Sequence, residues 1–195
     1  MGSYWPDLSR YVNNGRIYGA QLREGALWFS GDDHIYINNS KSLQITGDLT
    51  IFITVYPFDI DAVSRQGLVF KHYNYEYELI MNNDGSLTFY HGDGSWEEIN
   101  SPSGMAMTEK VWNRIGIVRK MDDMAVHFYQ NGQYMGAVSF TKTPVASSYP
   151  VTIGWRRGTS FYLLGFIGEL LLFNTALTQE QMRILDELTS PYGTA

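Results

Sequence analysis

The chain has 195 residues, enough for one large domain that buries roughly 70 % of the surface its unfolded form would expose. It contains no cysteine, which excludes disulfides and thiolate metal sites. Its net charge of −6 argues against nucleic acid or an anionic membrane as the main partner, because both require a basic face.

The opening residues "MGSYWPDLSR" lack the basic-then-apolar pattern of a signal peptide, and apolar runs such as "ELLLF" are too short to span a bilayer. The expectation is a soluble protein made in the cytoplasm, without membrane insertion. After an N-terminal strap over 1–25, short apolar and β-branched runs follow one another closely. They predict strands at "ALWF" (26–29), "HIYI" (34–37), "LTIFITVY" (49–56), "GLVFKH" (67–72), "YEYELIM" (75–81) and "SLTFYH" (86–91). Further strands are predicted at "VWNRIGIVR" (111–119), "MAVHFYQ" (124–130), "QYMGAVSF" (133–140), "VTIGW" (151–155) and "FIGELLLF" (166–173).

The turns agree with this all-β reading. Asn131-Gly132 joins two alternating runs as a two-residue type I′ hairpin loop, and Asn83-Asp84-Gly85 does similar work before Ser86. One helix is predicted over 178–188, capped by Thr178 with Gln181 three residues on, and with Met182, Leu185 and Leu188 at helical spacing before Pro191. No repeat, linker or low-complexity segment interrupts the run, so residues 1–195 are read as one two-sheet antiparallel sandwich. Strand parity nominates Trp28, Phe52, Phe70, Trp112, Ile117, Phe128, Ile153 and Leu170 as core anchors.

Four stretches, in order, carry a resemblance: "WPDLSRYVNNGRIYGAQ" (5–21), "ALWFSGDDHIYINNSKSLQITGDLTIFITVYP" (26–57), "EKVWNRIGIVRKMDDMAVHFYQNGQYMG" (109–136) and "IGWRRGTSFYLLGFIGELLLFNTALTQEQM" (153–182). The chain resembles the laminin-G-like, concanavalin A-like jelly rolls of the bacterial and phage type over nearly its whole length. The resemblance implies a jelly-roll sandwich. It does not fix an activity, since this fold carries lectins, adhesion modules, hydrolases and structural proteins.

A hydrolase would need paired carboxylates. Glu76 and Glu78 in "YEYEL" share one strand face about 7 Å apart by strand geometry. The glucan hydrolases of this fold carry a third acid on the same strand, where this chain has Leu79, Ile80 and Met81. Tyr75, Tyr77, Leu79 and Met81 read as the inward face, which leaves both glutamates outward as solvated carboxylates. Glu97 and Glu98 must face opposite ways if strand-like. No nucleophile elbow, phosphate loop or zinc helix is present, and the chain is read as a non-enzyme.

In "WFSGDDHIYI", Gly31 and Asp33 read as a turn that starts a strand. The resemblance implies calcium as the alternative, with Asp32 or Asp33 as ligands, although the stretch offers no ordered run of oxygen donors. No other cofactor is implied. Binding remains as the function. Aromatic and charged residues cluster at "HYNYEY" (72–77), "HGDGSW" (91–96) and "GWRRGTSFY" (154–162). Trp155, Arg156 and Arg157 are the leading candidates for a partner site, with Tyr73, Trp96 and Tyr162 as companions. The expected function is non-catalytic recognition, as a capsid decoration or fibre protein on a phage virion, with a carbohydrate-binding lectin as the alternative. The partner is therefore a virion protein or a glycan, and the reading admits a homo-oligomer.

Overall fold

The computed structural model of the protein describes residues 4–61 and 65–189. In chain order its strands are β1 (Tyr4–Trp5), β2 (Gly15–Tyr18), β3 (Gln21–Arg23), β4 (Ala26–Ser30), β5 (His34–Ile37), β6 (Leu49–Pro57), β7 (Arg65–Phe70) and β8 (Glu78–Asn82). They continue as β9 (Leu87–Gly92), β10 (Trp96–Asn100), β11 (Asn113–Lys120), β12 (Ala125–Gln130), β13 (Gln133–Ser139), β14 (Val151–Ile153) and β15 (Leu164–Phe173). A helix, α1 (Gln179–Leu188), follows. Two antiparallel sheets form a jelly-roll sandwich: an eight-stranded sheet ordered β1-β2-β5-β14-β7-β8-β9-β10 and a seven-stranded sheet ordered β13-β12-β11-β6-β15-β4-β3. Within the segment read as an N-terminal strap, β1 and β2 extend the larger sheet and β3 edges the smaller one.

Alternation decides which side chains enter the core. Along β6, Leu49, Ile51, Ile53 and Val55 point between the sheets, where they meet Leu79, Phe89, Ile117, Phe128 and Ile153. The opposite face of β6 carries Thr50, Phe52, Thr54 and Tyr56. Phe52 is buried there with Val118, Tyr129 and Met182 under α1. Gly116 makes this packing possible, since a Cβ at that position would run into the Met182 methyl. The Thr50 hydroxyl donates to the Thr175 carbonyl (2.8 Å) and accepts from the Leu177 amide (3.0 Å), fixing the chain as it turns into α1.

Of the expected core anchors, Ile117, Phe128 and Ile153 lie in the interior. Phe52 and Phe70 are buried, but on the outer faces of the two sheets. Trp28, Trp112 and Leu170 are only half-buried. Trp28 pairs across from Phe166, and with Tyr56 and Trp112 these rings form an aromatic layer on the outside of the smaller sheet. Parity identified alternation without saying which phase faces inward.

The local turns behave as the sequence indicates. Asn131 and Gly132 both take positive φ (49° and 76°), the requirement of a type I′ loop. The capping box of α1 forms, with the Gln181 amide donating to the Thr178 hydroxyl and the Gln181 side chain accepting from the Thr178 amide. Met182 is buried and Leu185 packs beside it, whereas Leu188 is exposed. Pro191 lies outside the described residues.

Candidate functional site

The outer face of the eight-stranded sheet carries the densest polar and aromatic assembly. Register puts Tyr18 opposite His34, Phe70 opposite Glu78, and Glu78 opposite Tyr90, so these side chains stand on one surface. Onto it folds the loop 154–163. Gly154 takes a φ of +76° at the end of β14, Leu163 donates back to the Gly154 carbonyl (2.9 Å), and Arg156 and Gly67 both donate to the Phe161 carbonyl (3.1 Å each). Gly67 permits this close approach, because a Cβ there would strike the backbone at Trp155 and Arg156. The loop is also tied through side chains: Trp155 Nε1 donates to Thr159 (2.9 Å), and the Thr152 hydroxyl donates to the Trp155 carbonyl (2.7 Å).

The result is a set of stacked rings with guanidinium groups among them. Tyr18 stacks on His34 at 4.8 Å, His34 leans on Trp155 at 4.8 Å, and Trp155 stacks on Tyr162 at 5.4 Å with planes 7° apart. Arg16 lies over Tyr18, Arg156 over Tyr73, Tyr90 and Phe161, and Arg157 over Tyr149. His72 stacks between Tyr73 and Tyr149. Burial, together with Arg157 and Arg156, lowers its pKa to about 4. Trp96, 54 % exposed, reaches the cluster edge-on through Tyr90. All six candidate residues read from the sequence, Trp155, Arg156, Arg157, Tyr73, Trp96 and Tyr162, thus sit on this assembly. His72, within the 72–77 cluster, joins them, and Arg16, Tyr18, His34 and Tyr149 complete the assembly without having been foreseen.

The expectation that Glu76 and Glu78 are solvated is wrong. Both side chains are fully buried. They do point away from the core, as parity requires, and Tyr77, Leu79 and Met81 point inward. Loops cover the outer face instead. Glu76 accepts from the Ser147 amide (2.6 Å) and hydroxyl (2.7 Å), with Lys71 Nζ at 3.6 Å. Lys71 in turn donates to Asn39 (2.7 Å) and to the Tyr149 carbonyl (2.8 Å). Glu78 lies beneath the 154–163 loop, with Arg156 Nε 3.0 Å away but not aligned for a hydrogen bond. Burial outweighs the attraction of Arg156 and Arg65 and pushes the Glu78 carboxyl up to about 8. Tyr75, expected in the core, stays in the preceding turn beside His72 and Tyr149. Glu97 and Glu98 face opposite ways on β10, Glu97 toward His91 and Thr141 and Glu98 toward Tyr90.

The 31–33 stretch forms a turn. Gly31 has a φ of +96°, and Asp33 Oδ2 accepts from the Ser30 amide (2.8 Å) and hydroxyl (2.6 Å). Asp32 Oδ1 shares that hydroxyl at 2.9 Å. Among the described residues, no three His, Asp or Glu side chains gather as a metal-binding group, and no helix is long and apolar enough to cross a membrane.

A family model described as the concanavalin A-like lectin/glucanases superfamily matches residues 29–183. The chain belongs to this superfamily. No curated protein matches the sequence. Among solved structures, the concanavalin A-like domain is similar to the binding domain of Paraclostridial Mosquitocidal Protein 1, with a TM-score of 0.78 at 15 % identity over 95 % of this chain and 50 % of that one. It is similar to the botulinum neurotoxin serotype D binding domain, with a TM-score of 0.76 at 13 % identity over 95 % of this chain and 49 % of that one. The binding domain of botulinum neurotoxin DC, solved with rat synaptotagmin II and with SialylT, gives a TM-score of 0.72 over 94 % of this chain and 48 % of that one, at 14 % and 15 % identity. The chain spans about half the length of these structures. At such identities the likeness is one of fold, shared with domains named for binding.

Proposed function

We propose that this protein is a non-catalytic recognition module that binds an acidic glycan through the outer face of its eight-stranded sheet. The observation that carries the reading is the pairing of three guanidiniums, those of Arg16, Arg156 and Arg157, with aromatic rings on one surface. Arg16 and Arg157 have no acidic partner among the described residues. Flat aromatic faces suit sugar rings, and a guanidinium fork suits a carboxylate or sulfate. A non-catalytic role is supported by the carboxylates themselves: Glu76 is saturated by Ser147 and Lys71, and Glu78 is roofed by Arg156, so neither reaches a glycosidic oxygen as a hydrolase acid must. Solved neighbours named as binding domains, one of them in complexes with a protein and with SialylT, support recognition in general terms.

The test is an array of sialylated, uronate-bearing, sulfated and neutral oligosaccharides. Binding concentrated on the acidic members is expected, and binding confined to neutral sugars would overturn the reading. As for where such a module works, the phage-type sequence resemblance supports a decoration or fibre protein on a virion surface. Co-sedimentation of the protein with assembled phage particles checks that placement separately from the glycan.

A further inference from the structure

Strand β15 is paired unevenly. Its first part, Leu164 to Ile167, is flanked by β4, and Gly165 to Ile167 pair with β6 on the other side. A bulge then interrupts the register between Ile167 and Leu170. Beyond it, Leu170 to Phe173 pair with β6 alone, and no described strand lies on their other edge. An antiparallel strand directs its backbone groups alternately to its two sides, so this stretch presents amides and carbonyls to no partner strand.

A cavity of about 770 Å³ lies against the same edge. Its walls are largely apolar, with Ile37, Leu43, Ile45 and Ile153 opposite Leu170 and Leu172, and the segment from Trp5 to Tyr11 also lines it. The volume is that of a binding site rather than a packing defect. Glu169, at the bulge, lines the cavity. Its amide donates to the Thr54 hydroxyl (2.8 Å), and its buried Oε2 has no hydrogen-bond partner among the described residues. The cation of the lining, Arg10, lies over Tyr11 and donates to its hydroxyl, and makes no ion pair with Glu169.

We propose that the free edge of β15 accepts an extended peptide as an added strand, with apolar side chains at alternate positions entering the cavity and a Lys or Arg meeting Glu169. Three needs of the site are met at once: unpaired backbone groups, an apolar gap with period-two geometry, and a carboxylate without a counter-charge. A small amphiphile would satisfy the last two and leave the backbone edge bare. This site lies apart from the ring-and-arginine face and stands or falls independently of it.

The probe is a fluorescent acetyl-Val-Lys-Val-Thr-Val-Thr-Val-amide, with a second peptide carrying Glu in place of Lys. Binding is followed by anisotropy, and its location by amide hydrogen exchange. The expected result is at least tenfold tighter binding of the Lys peptide, reversal of that preference in Glu169→Lys, and slowed exchange confined to 168–174. Because Glu169 makes no side-chain hydrogen bond among the described residues, this variant is expected to keep the parent melting temperature, which is measured alongside. Should the charge swap nevertheless disturb the fold, Glu169→Gln is expected to erase the preference without reversing it. Absence of peptide binding, equal affinity for both peptides, protection elsewhere, or capture of dodecyltrimethylammonium without either peptide would each overturn the proposal.

Discussion

Arg156 Nε lies 3.0 Å from the Glu78 carboxyl on the outer face of the larger sheet, with Glu78 wholly buried and the guanidinium over Tyr73, Tyr90 and Phe161. The pair joins loop to sheet. It holds the loop that carries Trp155 and Arg157 against the strand face, directly over the buried Glu78.

The pH dependence of stability follows from Glu78. Its folded pKa, about 8, lies above the ordinary glutamate value of 4.5. Between those values the unfolded chain gives up the proton while the folded chain keeps it. Stability from this group is therefore full below about pH 4.5 and is lost as pH rises toward 8. Glu78→Gln keeps shape and neutral charge, so urea melts at a series of pH values should show a flatter profile over that window. An unchanged slope would mean that Glu78 ionises normally.

Histidine acts with the opposite sign. His72, held down to about 4, stays neutral in the fold while the unfolded chain takes up a proton below its ordinary 6.5. Its contribution is present above 6.5 and declines as pH falls toward 4. A His72→Gln protein should lose less stability on acidification than the parent. The same pH series reads this, and a steeper acid limb in the variant would contradict it.

Arg119 is fully buried at one end of the sandwich and donates to the carbonyls of Gly47 (2.9 Å), Ile45 (2.8 Å) and Glu76 (2.6 Å). One planar fork ties β11 to two other chain segments, 45–47 and Glu76, and an ammonium cannot copy its reach. Arg119→Lys is expected to cost about 2 kcal/mol or more, since hydrogen bonds from a charged donor are each worth about 1.5–3 kcal/mol. Denaturant unfolding measures it. A cost below about 0.5 kcal/mol, the level of an ordinary surface change, would contradict the bridging role.

Asp33 tests the turn. It accepts both bonds from Ser30 through one oxygen, which Asn can also supply. Asp33→Asn should change stability by less than about 1 kcal/mol, the typical worth of one such bond, and added calcium should leave the melting temperatures of both proteins unmoved. A calcium-dependent rise in the parent that vanishes in the variant would establish a metal site instead.

The sequence made much of this legible because strands of a two-sided sandwich alternate and their hairpins need residues that tolerate positive φ. Thr178 with Gln181 marked the helix start for a similarly local reason. What stayed hidden was non-local. Nothing near Glu78 in the chain announces that residues 154–163 fold over it, and the same is true of Ser147 and Glu76. The glutamates were placed on the right face and given the wrong solvent. Arg16, Tyr18 and His34 were missed because their membership depends on β2 pairing with β5 and on the loop after β14, neither of which has a sequence signature. The Trp155 cluster was readable because its aromatic and basic residues adjoin in the chain itself.

Arg157 isolates the proposed binding of acidic sugars by the ring-and-arginine face, since that residue has no ion pair among the described residues and its guanidinium rests on Tyr149. The deciding measurement is calorimetric titration of the tightest acidic array ligand into the native protein and into Arg157→Ala, with melting temperatures recorded for both. An unchanged melting temperature and about tenfold weaker binding are expected, the loss of about 1.4 kcal/mol that one charge-assisted anchor carries. Equal affinity in the two proteins would contradict it.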